Sequence, residues 1–229
     1  MFLVEGAKSV LELLHSHIEI TTVVMTEVFA KEYNNMLDQL QSEGKIEVIT
    51  TSEQEISSLG VFKNNNAALA VAKIPSPSAF SMQSNEYVLA LDDVRDPGNL
   101  GTIMRIADWY GIKKLVCSAG TTDCFNPKVI SASMGSFLRV TLWYADLEDF
   151  MKNADVPIYG AFLSGEDVHH VAFGTGGLVV LGNESEGIGK KLEPYIQHRI
   201  YIPRYGEAES LNVAIATAVI CDNVVRSKK

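Results

Sequence analysis

Basic side chains are scarce in this chain. It carries 19 Lys and Arg against 28 Asp and Glu, a formal net charge of −9. A broadly cationic nucleic-acid surface is therefore excluded, and any phosphate contact has to come from a local patch. The deficit is spread along the chain: residues 1–84 hold five basic and ten acidic side chains, residues 85–229 fourteen and eighteen. Candidates for a patch are Lys113, Lys114, Lys128, Arg139, Arg204 and the tail Arg226-Ser227-Lys228-Lys229. Most of these are expected to be ordinary solvated charges. Arg204 differs, because it lies in a glycine-containing loop that leads into the last helix.

Cysteine is as sparse. Cys117, Cys124 and Cys221 form no Cys-x-x-Cys pair and no even framework, so reduced thiols in a cytoplasmic protein are expected. Cys221 falls on the apolar stripe of the final helix and is expected in the core. No apolar run approaches the roughly 20 residues that cross a bilayer, so no membrane partner is expected. Met1-Phe2-Leu3-Val4-Glu5-Gly6 offers neither a basic leader nor a long apolar stretch, and no signal peptide is expected there. Metal-ligand spacing is missing: His169 and His170 are adjacent, cannot converge like an i,i+4 pair, and are expected in a surface loop. A nicotinamide-dependent oxidoreductase needs G-x-G-x-x-G, which Gly98-Asn99-Leu100-Gly101 does not satisfy. A P-loop fails as well, since Gly182-x-x-x-x-Gly187 is followed by Ile188 rather than Lys.

What is present is a set of three strand-to-loop transitions. The strand-like run Arg199 to Ile202 stops at Pro203 and gives way to a polar loop with Gly206; Ser210 and Asn212 then open a long apolar helix. Backbone N–H groups are unpaired at such a helix mouth and suit a polar small molecule or a phosphate, although plain capping by Ser is the ordinary alternative. The apolar strand Tyr87 to Leu91 ends in Asp92-Asp93 and a Pro97-Gly98 turn, after which Asn99 can cap a helix with Ile103, Ile106, Ala107 and Tyr110 at helical spacing. The buried strand Leu178 to Leu181 runs into Gly182-Asn183-Glu184-Ser185-Glu186-Gly187. Ligands of open α/β sheets sit outside the carboxyl ends of strands, where these loops fall.

The elements alternate. Ala7 to Leu14 reads as helix, Ile18 to Met25 as strand, Phe29 to Gln41 as helix and Ile46 to Ile49 as strand. Ser52-x-x-Glu55 is a capping box before a helix to Leu59, and Ala67 to Lys73 is strand. Ile74 to Asn85, with two prolines and four serines, reads as a linker, so the expected division is 1–74, a linker 75–85, and 86–229. Beyond it, Lys114 to Cys117, Leu138 to Leu142 and Pro157 to Phe162 are expected strands. Asn126 to Gly135 and Leu147 to Asn153 are expected helices, and the last helix is expected over Ser210 to Val225. Regular β/α alternation argues for an α/β fold, a parallel sheet with helices on both faces.

Asn99-x-Gly101-x-x-x-Arg105, then Leu181-Gly182-Asn183-Glu184-x-x-Gly187, then Ile202-Pro203 through Gly206-x-x-x-Ser210-Leu211-Asn212-Val213, resemble the three ordered motifs of the SpoU (TrmH-type) RNA methyltransferases of the SPOUT superfamily. The resemblance spans roughly 86–226 with order and spacing intact. It implies methyl transfer from S-adenosyl-L-methionine to a ribose 2′-hydroxyl of structured RNA, ribosomal RNA in preference to transfer RNA. It further implies a trefoil knot, against the general rule that chains do not thread loops, and a homodimer whose sites use both protomers. The amino-terminal α/β stretch resembles, more weakly, the small RNA-recognition domain that precedes many SpoU catalytic domains, on Val4-Glu5-Gly6 and the closing strand Ala68 to Lys73. Relatives often carry a basic helix before that point; its absence implies a reduced RNA grip or a natural start upstream of Met1.

Carried over residue by residue, the resemblance puts Leu181, Gly182, Asn183, Gly187, Ile202, Pro203, Gly206, Ser210, Leu211 and Asn212 at the cofactor, with Ile202 and Leu211 lining its adenine or else packing the core. Gly182 would let the backbone approach the adenosine, while Gly187 and Gly206 would supply positive φ. Arg105 is implied to act on the target hydroxyl. A guanidinium is a poor base, so its expected part is to fix the neighbouring phosphate and stabilise developing alkoxide charge. Asn99, Glu184, Ser210 and Asn212 complete the expected catalytic set, and Ala214 stands where many relatives have Ser. A protein that keeps the fold and binds RNA without turnover is the alternative.

Overall fold

The computed structural model describes residues 1–33, 46–63, 65–76 and 80–227. The chain builds two sheets. The first comprises β1 (Phe2–Glu5), β2 (Ile20–Thr26), β3 (Glu47–Thr51) and β4 (Ala68–Ala72) in the order β1-β4-β2-β3. β4 runs antiparallel to both β1 and β2, and β2 pairs in parallel with β3. Helices α1 (Ala7–Leu14), α2 (Glu27–Glu32) and α3 (Glu53–Leu59) accompany it. The capping box at the start of α3 is present, with Ser52 and Glu55 bonding each other's backbone N–H. The helix expected to run on to Gln41 lies, beyond Tyr33, outside the described residues.

The second sheet is all parallel, in the order β10-β8-β9-β5-β6-β7. Its strands are β5 (Tyr87–Leu91), β6 (Lys114–Cys117), β7 (Thr141–Tyr144), β8 (Ile158–Asp167), β9 (Gly177–Leu181) and β10 (His198–Tyr201). Every residue of β5 and β9 is buried. That explains their unbroken apolar sequence: a central parallel strand meets helices on both faces. The two-residue period then divides the side chains. Leu89, Leu91, Val179 and Leu181 pack with Leu100, Ile103 and Met104 of α4 (Pro97–Trp109) and with Ile220 and Val224 of α7 (Val213–Arg226). Val88, Ala90, Leu178 and Val180 pack with Leu147 and Met151 of α6 (Leu147–Lys152) on the opposite side. The expected parallel sheet with helices on both faces is thus the observed one.

Several boundaries differ. α4 starts at Pro97 with Asp96 as its cap, not at Asn99. α7 starts at Val213 with Asn212 as its cap, not at Ser210. α5 (Pro127–Ser133) keeps its Asn126 cap but ends early, because Met134 and Gly135 both take left-handed φ, at 51° and 92°. The 3-10 turn Ser136–Leu138 follows, so β7 begins at Thr141 instead of Leu138. β8 runs on to Asp167, past the expected Phe162.

The two sheets are joined by direct packing. Phe2 of β1 lies with its ring centroid 4.8 Å from that of Phe125 and 6.0 Å from that of Phe137. Ile130 of α5 is buried in the same cluster as Val4, Val10 and Leu13. Glu5 is a buried carboxylate that accepts from the N–H groups of Val61 (2.8 Å) and Phe62 (3.3 Å). A side chain at Gly60 would overlap that carboxylate. Replacing Glu5 with Ala leaves two backbone donors without their acceptor, so a loss of about 1–3 kcal/mol is expected. Urea unfolding read by circular dichroism checks it, with Glu5→Gln, which keeps one carbonyl oxygen, expected in between.

Candidate active site

The carboxyl ends of β5 and β9 are in register, Leu91 opposite Leu181. The chain leaves β5 toward β6 on one side, while β9 flanks β5 on the other. A crevice opens at such a reversal of strand order. Three loops edge it. In the loop after β5, the Asp92 carboxylate accepts from the Gly189 N–H at 2.8 Å, and Asp93 takes a left-handed φ of 61° while its N–H donates to Ser118 Oγ at 2.8 Å. Asp96 Oδ1 then accepts from the Asn99 N–H at 2.8 Å.

In the loop after β9, Asn183 and Gly187 exchange two backbone hydrogen bonds of 2.9 and 3.0 Å, with Gly187 at φ +71°. Asn183 Oδ1 accepts from the N–H of Ser185, and its Nδ2 donates to the Asp93 carbonyl at 2.8 Å, lashing this loop to the first. A Cβ at Gly182 would overlap the Gly187 carbonyl carbon and the Ile188 nitrogen. The loop's own return path therefore demands glycine there, before any ligand is considered. In the third loop, Gly206 does not take the positive φ expected of it. It has open space around it, and the segment Arg204 to Asn212 is exposed.

One relay joins all three loops. Asn99 Nδ2 donates to Glu184 Oε1 at 2.6 Å, and Asn212 Nδ2 donates to Asn99 Oδ1 at 2.9 Å. Asn212 Oδ1 in turn accepts from the N–H groups of Ala214 and Ile215, at 2.9 and 3.3 Å. Chemistry fixes the direction. An ionised carboxylate only accepts, so the Asn99 amide must turn its NH2 to Glu184 and its oxygen to Asn212. The corrected caps make this possible: with Asp96 holding the start of α4, the Asn99 side chain is free to cross to its neighbours.

A cleft of about 1080 Å³ lies between the second and third loops. Leu181, Gly182, Asn183, Glu184 and Gly187 line one side, and Ile202, Pro203, Gly206, Ser210 and Leu211 the other. Asn212 borders it through the relay. Leu211 is 51% exposed, so it is not a core residue. The Ser210 hydroxyl is exposed and has no hydrogen-bond partner among the described residues. Arg105 does not line the cleft: it sits exposed on α4, with no ion pair or hydrogen bond to a described residue.

The model of the SpoU rRNA methylase family matches residues 86–222, and the model for RNA 2′-O ribose methyltransferase substrate binding matches residues 3–78. The chain belongs to the SpoU rRNA methylase family. A relative from Bacillus subtilis, named 23S rRNA (guanosine(2553)-2′-O)-methyltransferase RlmP, is 30% identical over 96% of this chain and 86% of its own length. The solved structure of an rRNA methyltransferase from Sinorhizobium meliloti with bound AdoMet superposes with a TM-score of 0.87 at 29% identity, covering 98% of this chain and 87% of that one. The A. aeolicus TrmH/SpoU tRNA modifying enzyme matches only 64% of this chain and 76% of its own, with a TM-score of 0.56 at 27% identity.

Within this SpoU-family chain, several site residues were not evident from the sequence. Asp92, Asp96 and Ser118 hold the first loop, and Arg199 lies over the Phe162 ring at 3.5 Å inside the cleft. The acidic pair directly after a buried strand was the available signal for Asp92; nothing in the sequence marks Arg199 or Phe162. Three basic candidates are already paired: Lys114 with Glu86 (2.7 Å), Arg139 with Glu12 and Asp108 (2.7 and 2.8 Å), and Arg226 with Asp222 (2.9 Å). His169 and His170 are exposed in a loop, as expected. Burial pushes the Cys124 thiol up to about 11 and that of Cys221 to about 12, and raises that of Cys117, so all three are inert near neutral pH. Gly182→Ala forces the second loop off β9. The expected result is a fold that survives with about 1–3 kcal/mol less stability, the usual cost of overpacking, and amide resonances of residues 183–189 displaced in the NMR spectrum.

Proposed function

We propose that this chain transfers a methyl group from S-adenosyl-L-methionine to a ribose 2′-hydroxyl of ribosomal RNA. The observation that carries the reading is the Glu184–Asn99–Asn212 relay, which gathers the three family motifs at one cleft. The cleft fits the cofactor. Its volume of about 1080 Å³ exceeds what a nucleoside-sized ligand needs, and it pairs apolar Leu181, Ile202 and Leu211 with exposed polar loop backbone. Leu181, Gly182, Asn183, Gly187, Ile202, Pro203, Gly206, Ser210, Leu211 and Asn212 are the residues that would hold it. When bound, S-adenosyl-L-methionine supplies a methyl group on a positively charged sulfonium.

The chain's own residues then have to place an oxygen and handle its proton. The Arg105 guanidinium grips the phosphate next to the target ribose and stabilises the charge that develops on the 2′-oxygen. Glu184 and Asn99 hold the relay, and Ser210 and Asn212 orient the reacting nucleotide. Ribosomal RNA is favoured because the Bacillus subtilis relative and the Sinorhizobium meliloti structure, both named as rRNA methyltransferases, align along 96% and 98% of this chain, whereas the A. aeolicus tRNA enzyme covers 64% of it. On this reading residues 1–74 grip RNA, 75–85 link, and 86–229 carry the transferase with the trefoil knot of its superfamily. The three free thiols suit a reducing cytoplasm.

The active form is a homodimer in which Arg105 serves the cleft of the second copy. Two features support this: Arg105 has no ion pair or hydrogen bond to a described residue, and Trp109, one turn along the same face of α4, is 84% exposed. Tritium transfer into protein-free large-subunit rRNA tests the activity, with calorimetry for the cofactor. Arg105→Ala is expected to lower transfer by about 10²-fold or more, the usual effect of losing one charge-stabilising donor, with cofactor affinity kept. Undiminished transfer would take Arg105 out of its role, and wild-type protein that binds RNA but not the cofactor would leave a binding protein without turnover. For the dimer, Trp109→Glu is expected to sediment as a monomer and to lose transfer; a wild-type monomer at micromolar concentration overturns it.

A further inference from the structure

We propose that Arg139 is a positioning residue that decides which nucleotide is methylated, by clasping the amino-terminal unit to the transferase unit in one orientation. The proposal rests on the methyl-transfer reading and adds a specificity element to it. Arg139 follows the 3-10 turn and reaches two elements at once. Its Nη1 donates to Glu12 Oε2 of α1 at 2.7 Å, and its Nε donates to Asp108 Oδ2 of α4 at 2.8 Å. Ser136 Oγ donates to the same Asp108 oxygen at 2.8 Å. The two carboxylates are only 28% and 25% exposed, so the clasp is partly shielded from solvent.

The backbone is shaped for this contact. Met134 and Gly135 take left-handed φ in succession, and a Cβ at Gly135 would overlap the Glu12 carboxylate. A methionine at φ 51° is uncommon, because its Cβ crowds the following carbonyl, and it persists where the surroundings fix it. Beneath the clasp lies the apolar seat of Phe2 on Phe125 and Phe137. The division of labour follows from the forces. Apolar contact attracts without direction. A guanidinium fork bonded to two carboxylates on separate elements sets an angle.

The clasp ends on the helix that carries the relay. Asp108 and Asn99 both belong to α4. α4 also rests on α5 at Gly101, where a Cβ would come within 2.6 Å of the Val129 carbonyl oxygen and the Ala132 Cβ. RNA held by the amino-terminal unit is therefore presented to the cleft from a fixed distance and angle, and one ribose among its neighbours reaches the site.

Full-length Arg139→Met, which keeps the aliphatic stem and loses the fork, tests this against protein-free large-subunit rRNA. Four quantities are read: cofactor affinity, kcat, KM for the RNA, and the position of 2′-O-methyl marks by primer extension. Expected are unchanged cofactor affinity and kcat, a KM raised about tenfold, as for one lost charge-assisted contact, and marks spread onto nucleotides beside the wild-type position. Arg139→Lys, which can reach one carboxylate but not both, is expected to restore part of the selectivity. Should Arg139→Met lose cofactor binding through misfolding, Glu12→Gln takes its place, because it leaves the Arg139–Asp108 pair intact. A single mark at the wild-type position with wild-type KM overturns the clasp while leaving the methyl-transfer reading standing. Wild-type protein that places no mark on any RNA overturns both.

Discussion

The carboxylate of Glu184 can only accept hydrogen bonds, and the site is organised around that limitation. It forces the Asn99 amide into one orientation, which forces the Asn212 amide into one orientation, which leaves Asn212 Oδ1 to hold the second and third N–H groups of α7. Three loops whose residues are 85 and 113 positions apart in the chain are thereby tied in a fixed sense. The other end of the relay is fixed in the same sense, because the Ala214 and Ile215 N–H groups can only donate and so turn the Asn212 NH2 toward Asn99.

The sequence carried the loops and the strands that feed them, because buried parallel strands and glycine-rich turns are local signals. It misled on the caps. Asn99 looked like the cap of α4, and Ser210 together with Asn212 like the opening of α7, yet Asp96 caps the first and Asn212 alone the second. Asp before Pro97 outcompetes Asn99, since proline at the first helical position is already set to helical φ. The same logic frees the Asn99 side chain for the relay. Likewise the strand expected at Leu138 starts at Thr141, because Met134 enters the left-handed region, which no propensity assigns to methionine. The pairing that seats it, Glu12 with Arg139, spans 127 residues and leaves no local trace.

Charge was legible in amount and not in placement. A net −9 demanded a local patch, and the structure pairs three of its candidates, Arg226 with Asp222 within α7 among them. Lys114 is paired with Glu86 and donates to the Ser81 carbonyl, and Arg139 is paired twice. These cations join segments of the protein to one another. Exposed Lys113, Lys128, Lys190, Lys191, Arg105 and Arg204 have no ion pair to a described residue, and Lys190 and Lys191 directly follow Gly187-Ile188-Gly189, whose Ile188 packs with Leu178 and Val180 of β9. An RNA footprint of a few local charges accounts for binding by an acidic chain better than a diffuse attraction, which the net charge opposes.

Helix α4 is where these constraints meet. Asn99 and Asp108 are nine residues apart on it, about 14 Å along the axis and on opposite faces at 100° per residue. Asn99 faces the relay, Asp108 the clasp to the amino-terminal unit, Gly101 the close crossing with α5, and Ile103 with Met104 the sheet. Arg105 and Trp109 occupy the arc that none of these uses. A rigid rod fixed at four points around its girth cannot roll without breaking at least one strong contact. The exposed arc is therefore held in place by contacts elsewhere on the helix. An arginine on that arc needs no ion pair of its own to be positioned, and its charge stays available to a phosphate.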